Sequence, residues 1–243
     1  MQRSTADYTD LRGLRIAITG GTSGLGLALV DEWHSRGAAV AFVARTAQDV
    51  ERVAAAHPGA AGIVADVSRK EDIHRIALQV LGRLGGLDVL VNNASSLGPV
   101  PLAPLADTEC EDLEVALATN VLGPFRLTKA LLGALRASAA EGRGGIVLDI
   151  SSDAAVTPYP GWGAYGASKA ALRHLGAIWN AELEGEGVRI LSRDPGDMDT
   201  ALHRLAVPDA DPSTLLRPSA SAKEVTGAIL AALGRGDARK EAA

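Results

Sequence analysis

The chain alternates short apolar runs with longer amphipathic stretches over most of its length. Apolar runs at Arg15–Thr19, Ala39–Val43, Gly62–Ala65, Val89–Val91, Ile146–Ile150 and Val188–Leu191 read as strands buried on both faces. Between them, residues 25–36, 47–56, 70–84, 109–119, 122–139 and 164–184 carry a helical pattern, and a last helical stretch covers about 222–233. Continuous apolar strands separated by helices predict an α/β fold. The expected architecture is a doubly wound parallel sheet of about six strands with helices on both faces. No repeat or linker breaks the alternation, so residues 1–243 read as one domain, with polar, frayed ends at about 1–12 and 235–243.

Composition narrows the class. Apolar residues make up 47% of the chain, which predicts a packed protein and not a disordered one. The net charge is −5 and the basic residues are scattered, so no nucleic-acid footprint is expected. The N-terminus has no basic-then-apolar signal pattern. No apolar run reaches the roughly 18 residues of a bilayer span. Together these predict a cytoplasmic protein with no membrane association and a small-molecule partner. Cys110 is the single cysteine, which excludes an internal disulfide, and it reads as inert helix packing. No metal-ligand spacing is visible.

The polar residues that interrupt this pattern fall where strands end. After the first strand comes Thr19-Gly20-Gly21-Thr22-Ser23-Gly24-Leu25-Gly26 and then an apolar helix. Glycines permit a tight turn and close backbone approach, and a helix N-terminus presents free N–H groups to a diphosphate. Gly20, Thr22, Ser23, Gly24, Leu25 and Gly26 are therefore phosphate-side candidates. The second strand runs into Arg45-Thr46 with no carboxylate for a ribose 2′-hydroxyl, and Arg45 suits a 2′-phosphate, which favours NADP over NAD. Asp66, before Val67, reads either as an adenine contact or as the cap of the next helix, with Ser68 competing for the cap.

Further along stand Asn92-Asn93-Ala94-Ser95, Asn120, Ser151-Ser152, Asp194-Pro195-Gly196 and Thr200. Tyr165 and Lys169 are four residues apart, about one helical turn, so both project from one face. An ammonium near a phenol lowers a pKa normally about 10 and makes the tyrosine usable in proton transfer.

Together these residues resemble the short-chain dehydrogenase/reductase family over about Leu14–Ala232. The resemblance implies a Rossmann-like fold, an oxidoreductase activity and an NADP(H) cofactor. It assigns Asn120, Ser152, Tyr165 and Lys169 to a catalytic tetrad. In it Tyr165 is the acid/base, Ser152 orients the substrate oxygen, Lys169 lowers the Tyr165 pKa and holds ribose, and Asn120 holds a water. Ser151 competes for the role of Ser152, but the thirteen-residue spacing to Tyr165 favours Ser152. Cofactor contacts are implied at Asn93, Ala94, Tyr165, Lys169, Pro195, Gly196, Met198 and Thr200, beside the phosphate-side residues, Arg45, Thr46, Asp66 and Val67.

Three departures stand out. Ser95 replaces the family's usual Gly and narrows the pocket nearby. No basic residue precedes Gly24. The usual final strand is not visible, which favours a homodimer over a tetramer. Segments 96–105, 153–162 and 197–217 are expected to surround a partly hydrophobic substrate pocket, where His203 either touches a polar group or is solvated. The leading expectation is an NADPH-dependent carbonyl reductase. A nonenzymatic NADP(H)-binding regulator and an NAD-dependent alcohol dehydrogenase are the alternatives.

Overall fold

The computed structural model describes residues 11–234. Six strands, β1 (Arg15–Thr19), β2 (Ala39–Ala44), β3 (Ala61–Val64), β4 (Val89–Asn92), β5 (Ile146–Ile150) and β6 (Arg189–Arg193), form one parallel sheet in the order β3-β2-β1-β4-β5-β6. Eight α-helices cover it: α1 (Gly24–Ser35), α2 (Ala47–Ala56), α3 (Lys70–Leu84), α4 (Cys110–Leu117), α5 (Gly123–Ala140), α6 (Gly163–Leu183), α7 (Ala201–Ala206) and α8 (Pro218–Ala232). The fold is the doubly wound, Rossmann-like sheet expected.

Strand periodicity explains the layers. Successive side chains point to opposite faces, so Ile16, Ile18, Val40, Phe42, Val89, Val91 and Leu148 pack against α1, α2 and α8. Their neighbours Ala17, Ala41, Val43, Leu90 and Val147 pack against α3, α5 and the end of α6. On the first face Trp33 is fully buried and donates from Nε1 to Thr226 Oγ1 at 2.9 Å, which satisfies its polar edge across the α1–α8 contact. The strand order reverses between β1 and β4, and this opens a crevice at the carboxyl ends of the strands.

Some expectations needed correction. Leu11, expected in a frayed end, is fully buried, whereas residues 1–10 and 235–243 lie outside the described part. Cys110 opens α4 and is exposed, so it is not packing. Helix α7 was not foreseen, because six residues are too few to show a period. Helix α8 begins four residues early, at Pro218, whose ring suits the first helical turn. The gap between the two central helices is filled by a π-helical turn, Ala118–Leu122, so α4 and α5 run on through Asn120.

At the opposite end of the sheet Asp88 is fully buried. It accepts from the Arg15 backbone N–H at 2.8 Å, from Arg15 Nη2 at 2.6 Å, from Ser138 Oγ at 2.6 Å and from Arg143 Nη2 at 3.2 Å. Burial alone would raise its pKa, but these bonds hold it at about 2. A depressed native pKa contributes stability above the unfolded value, and that stability is lost as pH falls from about 4 through about 2. The contribution is about 2 kcal/mol. Asp88→Asn removes the charge that Arg15 and Arg143 share, leaves Arg15 with Gly85 O and Glu141, and is expected to cost about 2 kcal/mol at neutral pH. Urea unfolding at pH 7, 4 and 2 checks both points: the native protein loses stability over the acid window, and the variant shows a flatter slope. Equal slopes would refute this account.

Candidate active site

The crevice begins at the glycine turn between β1 and α1. Gly20 has φ +72°, and a Cβ there would lie 2.9 Å from Asn93 Nδ2. A Cβ on Gly26 would lie 2.0 Å from the Gly20 carbonyl oxygen. Neither position tolerates a side chain. Ser23 precedes α1 without capping it, and the first turn of α1 holds no acidic residue. Its N–H groups and positive dipole end are thus free for an anion, and the cradle fits a diphosphate.

From this turn a cavity of about 810 Å³ runs along the strand ends. Gly20, Thr22, Ser23, Gly24, Leu25 and Gly26 line its first wall. Arg45 and Thr46 after β2, and Asp66 and Val67 after β3, line the far end. Asn93 and Ala94, Pro195 and Gly196, and Met198 and Thr200 line the middle, and Ser152, Tyr165 and Lys169 close the near end. Every residue expected to touch a cofactor therefore faces one space.

Several side chains do other work than expected. Asn93 Nδ2 donates to the carbonyls of Thr19 and Gly20 at 2.9 and 3.2 Å, so it pins the glycine turn. Asp66 is not a helix cap; it accepts from Ser68 N and Ser68 Oγ, and α3 starts after Arg69 with no side-chain cap. Thr200 Oγ1 accepts from His203 N at 3.1 Å and caps α7, which leaves its own proton free. His203 is largely buried and not solvated, with Nδ1 unpartnered among the described residues and Nε2 3.9 Å from Asp197. Of segment 96–105 only Leu97 lines the cavity. The rest of the substrate side comes from 153–162 and 197–217, including Tyr159, Trp162, Val207 and Leu215.

Asn120 does not line the cavity. It is fully buried, accepts from Ser96 N, and donates to Ser96 O and Ser168 Oγ, each at 2.8 Å. Its side chain is a buttress between the loop after β4 and α6. Ser168 Oγ in turn donates to the Tyr165 carbonyl at 2.6 Å.

Tyr165 and Lys169 share one face of α6, and both are buried. Lys169 Nζ lies 5.5 Å from the Tyr165 ring centroid and donates to Ile150 O at 2.7 Å. The net position of the phenol is above its ordinary value, not below it. Burial pushes Tyr165 up to about 12; the neighbours Ser152 and Ser95 pull down, while Asp194 and Asp153 push up. Burial also brings Lys169 down to about 8, against the pull of Asp149. Asp149 faces α6 from β5, and burial raises it to about 6 against Asn92 and Lys169. Asn92 Nδ2 donates to Asp149 Oδ1 at 2.8 Å. Sequence reasoning missed Asp149, although one carboxylate in an otherwise apolar strand was the available signal. It also missed Asp153, which accepts from Ser152 Oγ at 3.0 Å and from Tyr159 OH at 2.7 Å.

A Ser-Tyr-Lys wall thus stands beside a glycine-turn crevice at the strand ends of a doubly wound α/β fold. The chain belongs to the short chain dehydrogenase family, which residues 15–211 match. It is similar to a short chain dehydrogenase of Pseudocercospora fijiensis, at 37% identity over 199 residues, which span 79% of this chain and 62% of that one. That match thus covers less than two thirds of the relative's length. Among solved structures it resembles the 3-ketoacyl-(acyl-carrier-protein) reductase of Brucella melitensis complexed with NADH. There the TM-score is 0.84 at 27% identity, over 90% of this chain and 92% of that one. It also resembles an alcohol dehydrogenase of Thermococcus sibiricus complexed with 5-hydroxy-NADP, with a TM-score of 0.78 at 28% identity, covering 88% and 89%. No helix among the described residues is long and apolar enough to cross a membrane.

Proposed function

We propose that this protein is an NADP(H)-dependent carbonyl reductase or alcohol dehydrogenase. The observation that carries the reading is the convergence of Ser152, Tyr165 and Lys169 on one wall of the cavity that begins at the glycine turn. The glycine turn, Asn93 and Thr200 would hold a nicotinamide cofactor along that cavity, and it would supply or accept hydride at a substrate carbon. The chain's own residues handle the oxygen. In reduction Tyr165 gives its proton to the developing alkoxide, and Ser152 orients that oxygen. Lys169, which lines the cavity with its ammonium 5.5 Å from the Tyr165 ring, would hold ribose hydroxyls and supply positive charge beside the phenol. Asn120 holds the loop after β4 against α6, and so keeps Tyr165 in place. A panel of ketones and alcohols with NADPH, NADH and their oxidised forms, followed by reduced-nicotinamide absorbance, tests the reading. Absence of turnover with every pair would sink it.

Cofactor preference rests on Arg45. It is exposed at the end of β2, lines the cavity and has no carboxylate partner among the described residues. Asp49 lines the same end, but Arg52 pairs with it at 3.0 Å and reaches the Thr22 carbonyl at 3.2 Å. Arg45 thus offers a guanidinium with no carboxylate partner at the position suited to a 2′-phosphate, while Asp66 is the other carboxylate lining that end. A charged hydrogen bond is worth about 1.5–3 kcal/mol, or roughly ten- to a hundredfold in affinity. The double change Ala44→Asp, Arg45→Ala is expected to reverse the preference for NADPH. The check is kcat/KM for NADPH and NADH on one substrate at low and high salt, and equal values in the unmutated protein would defeat it.

We also assign the protein to the cytoplasm and to a homodimer. The exposed Val115, Leu122, Phe125 and Ile178 lie on α4, the π turn, α5 and α6, where a second copy would cover them. Sedimentation at micromolar concentration is expected to give a dimer; a monomer or tetramer would refute it.

A further inference from the structure

Ser95 is one of three described residues with a buried side-chain polar atom that makes no hydrogen bond. Leaving such a group unpaired costs roughly 1–3 kcal/mol, so an orphan inside a reactive cavity calls for a reason. Its backbone is clamped on both sides. Ala94 N donates to Thr19 Oγ1 at 3.0 Å, and the Asn120 amide bonds Ser96 N and Ser96 O, each at 2.8 Å. The Ser95 hydroxyl therefore stands on a fixed base in the cavity wall, beside the Tyr165 phenol. Ser152 is the other hydroxyl there, but a serine has a single proton to give. At rest Ser152 gives it to the Asp153 carboxylate at 3.0 Å, and in the proposed reaction to the substrate oxygen. The proton left free for Tyr165 is that of Ser95.

We propose that Ser95 is a positioning residue for proton transfer: its hydroxyl donates to Tyr165 Oη and stabilises the phenolate left when the phenol proton passes to the substrate oxygen. The proposal rests on Tyr165 being the acid/base. The groups facing the phenol make the need plain. Asp153, after β5, and Asp194, after β6, both oppose a negative charge on Tyr165, as does burial. Lys169, on α6 itself, lies over the ring and is bonded to Ile150 O. A donor to the oxygen favours only the ionised form, and so lowers the barrier to giving up the proton.

The test reads Tyr165 directly. 3-Fluorotyrosine replaces the three tyrosines of the chain, and the fluorine resonance lost in Tyr165→Phe identifies the residue. Fluorine also lowers phenol pKa values, which helps keep the titration within the folded range. With NADP⁺ bound, Ser95→Ala is expected to raise the Tyr165 midpoint by roughly one to two pH units. Ser95→Thr, which retains a hydroxyl, is expected to stay near the native midpoint. Thermal melting separates this from a packing effect, since removing an unpaired buried hydroxyl leaves stability unchanged or raised. An unmoved midpoint in Ser95→Ala would overturn the proposal. Near-native turnover in Tyr165→Phe would instead sink the catalytic reading, whatever the titration of Ser95→Ala.

Discussion

Tyr165→Phe is expected to lose about 10²- to 10⁴-fold in turnover while binding the cofactor with unchanged affinity. The substitution removes one oxygen from a ring that is buried and packed edge-on against Trp162 at 5.7 Å between centroids. Phe fills the same volume, so the protein keeps its fold and the glycine-turn cradle is untouched. What is lost is the proton donor. Because burial holds Tyr165 near 12, the phenol stays protonated through neutral pH and is ready as an acid for reduction. Oxidation needs the phenolate, so its rate is expected to rise with pH towards that value. A pH–rate series in both directions, with cofactor affinity measured by fluorescence quenching, checks the assignment. A variant that keeps near-native kcat would remove Tyr165 from the chemistry.

The sheet was legible because its strands are buried on both faces, so each showed as an apolar run. The β1 prediction, Arg15–Thr19, matches to the residue, and β6 slipped because Ser192 and Arg193 extend it past the apolar run. Helices α2 and α3 matched as well, since ten and fifteen residues are enough for a helical period to show. Helix α7 was too short for that, and its start is marked only by Thr200. The cavity-lining residues were legible because glycines, Arg45 and the Tyr165–Lys169 pair are unusual at strand ends and on a helix. Hydrogen-bond partners were not legible. Nothing in the order of residues says that Ser152 faces Asp153, that Asn120 joins Ser96 to Ser168, or that Lys169 bonds a carbonyl. Those pairings depend on χ angles and on which strand end meets which loop. The upward position of the Tyr165 phenol was not legible for the same reason: four-residue spacing gives a shared face, not the burial that outweighs its neighbours.

Lys169→Met tests what that lysine does, and two losses are expected together. Turnover falls by about 10²-fold or more, because positive charge beside the phenol disappears. Cofactor affinity falls about ten- to a hundredfold, because a charged donor to the ribose is gone. Methionine is the right replacement, since Lys169 is fully buried and an alanine would add a cavity effect. The partner left behind is Asp149, which burial already holds near 6. Without the lysine its pKa rises further, so near neutral pH it takes a proton instead of standing as an unpaired buried charge. A carboxyl with a raised native pKa contributes stability below its unfolded pKa, near 4, and loses it as pH rises through the native value. In Lys169→Met that loss, which begins near pH 4 in both proteins, is therefore larger and continues to a higher pH than in the native protein. Melting temperature from pH 4 to pH 9, read beside kcat and cofactor affinity, separates the three effects. Full cofactor affinity with lost turnover would leave Lys169 an electrostatic role only, and an unchanged pH profile of stability would break its link to Asp149.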